Sequence, residues 1–516
     1  MSSSVQVNNK RIAKNTLFLY LRMVFILCIN LFASRMILKY LGVSDFGIYN
    51  VVGGCTALIG MFNSAMIVST QRYLSFELGA GNFEALSKVF SVSLSIYVFV
   101  SILFFVAAET IGLWFLNTQL VIPESRIHAA NWVFQLSILS VINSLLYDPY
   151  NASVIAHEKM NVYAFMSIAQ SALLLLIVFC LPLIPFDRLI VYALLYFFVT
   201  LVITLACRIY CVRNFKECKF KFVRDKSLFK EIISYSGWNF FGSASGVAKG
   251  QGLNILLNIF FSPVVNAANA IAAQITSGVS MLFSNFYLAV SPQITKSYAA
   301  KEYNDMFNLI FRSSKFSFFL IFIVALPILI ETPYIVNIWL GQIPQYVVPF
   351  TRIVIIITAV DAISSPLMTS LHATGKIKLY QIVVGSTTIL IVPISYLFLS
   401  MGNPAISVFV VSLAVSILNF LLRIAFVKYQ ISAFSSRAFL REVAIRIIAV
   451  VLLSAIIAWA FSTIAVETTF LWVVSNCFVY VLVAFFAIIV FGLTQDEKNF
   501  FLNYIRNKIR DKFSTK

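Results

Sequence analysis

Long apolar stretches separated by short polar breaks run through the whole chain. A membrane core is crossed by about 20 helical residues, and runs of that length recur here. Fourteen helices are predicted, over 16–40, 47–70, 88–115, 127–147, 160–183, 188–210, 232–259, 264–290, 309–330, 346–368, 380–400, 404–427, 443–463 and 468–493. Helices are preferred to strands because the runs are long and each must satisfy its own backbone groups in lipid. The longest polar stretch, 208–230, is a short basic linker, so no separate soluble domain is expected.

The basic residues test this reading. With the N-terminus inside, 31 of the 38 Lys and Arg fall in alternate connections. Four lie at the opposite ends: Lys39, Arg126, Arg188 and Arg352. Arg22, Arg35 and Lys249 fall within spans. This asymmetry predicts both termini in the cytoplasm. The polar segment 1–14 carries Lys10, Arg11 and Lys14, and the apolar run after it is too long for a cleaved leader.

Composition agrees. The chain is 60% hydrophobic and 11% charged, with a mean hydropathy of +0.91. Its net charge of +18 is accounted for by topology, which removes nucleic acid as an expected partner. The seven cysteines form no CxxC pair and the three histidines are far apart, so no metal site is expected. No catalytic grouping appears, and the chain is not expected to be an enzyme. The 208–230 linker and the amphipathic 495–516 tail, with Phe500, Phe501, Tyr504 and Ile505 on its apolar side, are expected to meet anionic membrane lipid.

An internal repeat is visible. Pro149, Ser153, Ala156, Lys159 and Tyr163 recur as Pro366, Ser370, Ala373, Lys376 and Tyr380, each 217 residues later. Trp114 and Trp339 also stand late in corresponding spans. Six helices separate the copies, so both halves point the same way, as in parallel-repeat transporters. The predicted division is 1–222 and 223–430 for the two six-helix halves, 431–494 for an added helix pair, and 495–516 for the tail.

Charges at membrane depth are the main functional signal, since each costs roughly 2.5–3.5 kcal/mol on insertion scales. Arg22, Arg35 and Lys249 are candidates for a cationic cavity; snorkelling to the membrane surface is the competing reading for the two arginines. Asp361 has three readings: pairing with a cavity cation, which leads, protonation, or sodium coordination. Gln251, Asn254 and Asn269 add polar groups. Gly242, Gly246 and Gly250 read either as a close-packing seam or as a hinge. Asp148 is expected at the inner interface.

The segment Leu41, Gly42, Val43, Ser44, Asp45, Phe46, Gly47, Ile48, Tyr49 after helix one, with the two halves and the repeated junctions, resembles the polysaccharide transporter family. These are Wzx-type flippases, within the MOP superfamily that also holds the MATE exporters. The resemblance implies a V-shaped, MATE-like helical bundle in the bacterial inner membrane. It also implies transfer of an undecaprenyl-diphosphate-linked glycan (an O-antigen, capsule or exopolysaccharide unit) to the periplasmic leaflet. A polymerase and glycosyltransferases would be partners. A diphosphate cargo gives a reason for interior cations. The alternative, a MATE-type drug exporter coupled to protons or sodium, would want an acid on helix one, where this chain has Arg22 and Arg35.

Overall fold

The computed structural model describes residues 3–118, 122–261, 263–341, 343–464, 470–495 and 497–499. Every predicted apolar stretch falls on a helix. The helices are α1 (Ser3–Ala80), α2 (Phe83–Ala107), α3 (Leu113–Thr118), α4 (Ile127–Ala156), α5 (Met160–Cys180), α6 (Arg188–Asn214), α7 (Lys226–Phe260) and α8 (Pro263–Ala299). They continue as α9 (Tyr303–Leu340), α10 (Val347–Thr374), α11 (Lys378–Ser400), α12 (Ser407–Gln430), α13 (Ser436–Phe439), α14 (Ile445–Ile464) and α15 (Phe470–Ala487). A π turn over Ala108–Gly112 joins α2 to α3.

The break expected between the first two spans is a kink rather than a loop. α1 runs on through Gly42, whose φ of 79° and ψ of 167° open a bend that a Cβ would disfavour. The 2-proline stretch of α9, with Pro327 and Pro333, bends at Glu331.

Among the described residues, nine helices are long and apolar enough to cross a membrane. Large apolar side chains stand exposed along them, including Phe165, Phe198, Leu397 and Phe478. Such a surface would aggregate in water and is the surface lipid requires. The chain is a multi-pass membrane protein.

Two compact units are present. The first comprises Met1–Gly246, Leu288–Met306 and His372–Gly385. In it α4 packs against α1, α2, α5 and α6. Leu41, Ile48, Leu116, Val133, Phe134, Leu189 and Tyr192 form one core. Leu19, Ile155, Met160 and Ala289 form a second. The other unit comprises Val247–Tyr287, Phe307–Leu371 and Ser386–Lys516. Its core joins Leu257, Ala268, Val336, Phe350, Ile391 and Phe409. Lys315 on α9 is buried there and holds Glu497 through two 2.9 Å hydrogen bonds. The remaining tail residues from Phe500 onward lie outside the described residues.

Candidate functional site

In the second unit, Lys249 on α7 and Asp361 on α10 face each other electrostatically. Asp361 Oδ1 accepts a hydrogen bond from Ser416 on α12 at 2.7 Å. Its backbone carbonyl accepts from Ser364 and Ser365 at 3.0 and 2.9 Å. Arg423, one α-helical turn and more beyond Ser416, donates to the Ser364 hydroxyl. A polar line thus joins α7, α10 and α12: Lys249, Asp361, Ser416, Ser364, Arg423. Arg423 stands within α12, inside the predicted span 404–427.

Asn269 on α8 donates to Asn254 on α7 at 2.6 Å, a bond between neighbouring helices. Gln251 is exposed. The three glycines do not form one seam. A Cβ at Gly242 would stand 2.3 Å from the Gln381 amide oxygen, so close packing requires the glycine there. Nothing lies within 4 Å of a Cβ at Gly246 or Gly250. α7 is continuous through all three.

In the first unit, the Arg22 guanidinium sits 4.5 Å from the centroid of the Tyr163 ring. A cation over an aromatic face is held without losing its charge. The Arg35 side chain lies outside the described residues. Asp148, expected at the interface, is buried at 4% exposure within this unit. It points inward because α4 is covered on several sides by other helices.

Two further charged residues, Arg72 and Glu158, organise this unit. Arg72 donates through Nε to the His372 carbonyl at 3.1 Å and through Nη2 to the Ala373 carbonyl at 2.8 Å. It thereby satisfies the last carbonyls of α10 and adds a cation at that negative helix end. Tyr235 donates to the same His372 carbonyl at 3.2 Å. Glu158 closes α4 with a φ of 59°. Its buried carboxylate accepts from Arg11, Lys296 and Gln293 at 2.7, 2.7 and 2.8 Å. Asn15 donates to its carbonyl at 3.2 Å. The available signal was its place as an acid inside the repeated junction, at the position where the second copy has Gly375.

At the other ends of these helices, Arg126 bridges Asp45 beside the α1 kink and Asp187 at the start of α6. Asp187 also accepts from the Leu189 amide at 3.0 Å as an N-cap. Burial pushes the Asp187 carboxyl up, but bonds from Arg126 and the Ile190 amide outweigh it and hold it below the usual range. Among the described residues no group of His, Cys, Asp and Glu is arranged to hold a metal ion.

No protein-family model matches this chain, and no curated protein matches it. Solved structures do. An outward-facing multidrug resistance MATE family transporter of the MOP superfamily aligns with a TM-score of 0.71 at 13% identity, over 84% of this chain and 99% of that one. A MATE protein in the straight conformation aligns at 0.70 and 14% identity, over 83% and 99%. A MOP superfamily transporter from Pyrococcus furiosus, described as having a binding pocket of reversed polarity that suggests a different function, aligns at 0.68 and 13%, over 83% and 99%. The chain has the fold of these transporters.

Proposed function

We propose that this protein is a membrane transporter of the flippase kind, and that its cargo is a lipid carrying a diphosphate and a glycan, of the undecaprenyl-diphosphate-linked type. The observation that carries the reading is the sign of the interior charge. Arg22, Lys249 and Arg423 stand on apolar helices, and in the second unit Asp361 is the acid near Lys249. Cations at membrane depth are costly and are retained where they bind something negative. Phosphate is bound well by guanidinium and ammonium groups. In the Pyrococcus furiosus MOP transporter a reversal of pocket polarity was likewise read as a change of function.

The proposed architecture has fourteen crossings with both termini in the cytoplasm. It comprises two parallel six-helix halves over 1–222 and 223–430, the added pair 431–494 and the tail 495–516. Backbone closures support the repeat. α4 ends at Glu158 and α10 at Gly375, both left-handed and 217 residues apart. The proposed location is the bacterial inner membrane, with glycan polymerase and glycosyltransferases as partners. No cofactor is proposed; a proton or sodium ion is the candidate for coupling. The drug-exporter alternative is weaker because α1 offers Arg22 and Arg35 where such a protein needs an acid.

The test is surface glycan production in a flippase-deficient bacterium supplied with the cognate glycan genes, with membrane levels of each variant checked. Arg22→Lys and Lys249→Arg should retain part of the export, whereas Arg22→Glu and Lys249→Glu should abolish it. Near-normal export by both charge-reversed variants would remove the cationic-cavity mechanism.

A further inference from the structure

The first unit contains a carboxylic acid that the cationic residues do not use. Asp148 lies on α4 between Tyr147 and Pro149, 4% exposed. Asn63, on the part of α1 beyond the kink, lies within reach of its carboxylate. The atoms left over are informative. Asp148 Oδ2 is buried without a hydrogen-bond partner, and so is Asn63 Oδ1. The atoms left to bond each other are therefore Asn63 Nδ2, as donor, and Asp148 Oδ1, as acceptor. Both orphans are acceptors, and they belong to the two groups that such a bond joins.

One donor is missing, and one proton would supply it. Protonated at Oδ2, Asp148 donates to Asn63 Oδ1 while it accepts from Asn63 Nδ2. Acid and amide then form a reciprocal pair with both orphans satisfied. An ionised Asp148 leaves two buried acceptors unpaired and a buried negative charge without a cation, the costlier arrangement. None of the ion pairs among the described residues includes Asp148. The titratable groups that face it are phenols: the fully buried Tyr97 from α2, and Tyr147 on its own helix. α5 and α6 bring Tyr163, Cys207 and Cys211 to Tyr147. None of these is a basic side chain.

We infer that Asp148 and Asn63 form a proton-binding site, with the proton held on Asp148 Oδ2 and shared with Asn63 Oδ1 in this conformation. Uptake takes a proton from hydronium and leaves water; release returns it to water once the pair is wetted. The site stands on the geometry of the first unit alone and does not depend on the nature of the cargo. In a transporter, a buried acid that is neutral when enclosed and ionises when wetted links proton movement to a conformational change.

Infrared difference spectroscopy on the full-length protein in lipid vesicles, titrated from mildly acidic to alkaline pH, tests this. The wild type should show a protonated-carboxyl carbonyl band at neutral pH that moves on exchange into heavy water. Asp148→Asn should delete that band and keep the wild-type melting temperature, because an amide has the shape and neutrality of the protonated acid. Asn63→Leu should shift the band's frequency, because the carbonyl partner is gone. A carbonyl-acid region unchanged by Asp148→Asn at every pH would overturn the site. So would failure of Asp148→Asn to fold, since it is the nearest mimic of the neutral state. A sodium-dependent rise in melting temperature that Asp148→Asn abolishes, with no acid band, would assign the orphan oxygens to a metal cation instead.

Discussion

Lys296 and Glu158, 138 residues apart in the chain, meet at 2.7 Å. The Glu158 side chain is 1% exposed, and Lys296 reaches it from the last turns of α8. Breaking such a buried pair by removing one partner costs about 3–5 kcal/mol, because the other charge stays buried alone. Glu158→Ala should therefore lower the melting temperature of the purified protein sharply, and Lys296→Met less so, since Arg11 and Gln293 still serve the carboxylate. The double variant Glu158→Ala with Lys296→Met should recover part of the loss. Strict additivity in that cycle would mean that the two side chains are not coupled.

A second prediction concerns the other repeated junction. Gly375 has a φ of 77°, and a Cβ there would stand 2.8 Å from Arg72 Nη2. Gly375→Ala combines a left-handed backbone, about 1–2 kcal/mol, with displacement of the guanidinium. Arg72→Ala leaves the His372 carbonyl to Tyr235 and strips the Ala373 carbonyl, at about 1–3 kcal/mol for a buried unsatisfied group. In thermal melts the combined variant should lose less than the sum of the two, because the glycine substitution acts partly through the arginine.

Third, Lys249 should be reachable from water. In a background without native cysteines, Cys at position 249 should react with a small hydrophilic thiol reagent, and a phosphate-bearing lipid cargo should slow the reaction. Labelling no faster than at a lipid-facing control such as position 165 would take Lys249 off the transport path. Ser416→Ala should weaken export only mildly if Asp361 balances Lys249, since it removes one hydrogen bond to the acid. Severe loss from Asp361→Asn with normal folding would instead mark Asp361 as the coupling group.

Fourth, the Arg126 bridge predicts a definite acid sensitivity. The Asp187 carboxyl is held below the usual range in the folded protein. A depressed acid stabilises the fold above its unfolded pKa, roughly 3.9 for aspartate, and that stabilisation fades as pH falls through the lower folded value. The Asp187 contribution to stability, read as the difference between wild type and Arg126→Gln, should therefore be flat above about pH 5 and shrink below pH 4. Arg126→Gln should reduce stability at neutral pH and flatten the acid limb. An unchanged acid limb in that variant would mean that Asp187 is not the group responsible.

Much of the fold is legible in the sequence because lipid imposes a local rule. A segment that must cross hydrocarbon declares itself by its own run of apolar residues, and charge asymmetry orders those segments without knowledge of their neighbours. A break after the first span is legible for the same reason, but its form, a bend at Gly42 within a continuing helix, is not. The cost of Arg22 and Lys249, which depends on depth alone, is legible too. What each polar group bonds to depends instead on how helices distant in sequence cross. Arg72 finds carbonyls 300 and 301 residues away. Arg423 finds the Ser364 hydroxyl only once α12 is set beside α10. Gly242 is packed and Gly250 open although they repeat one motif, because only the first turns toward Gln381. Asp148 looks interfacial from its distance to the end of α4, and only the covering helices and Asn63 decide that it is enclosed. Burial, and with it the chemistry of each interior acid and base, is a property of the packed bundle.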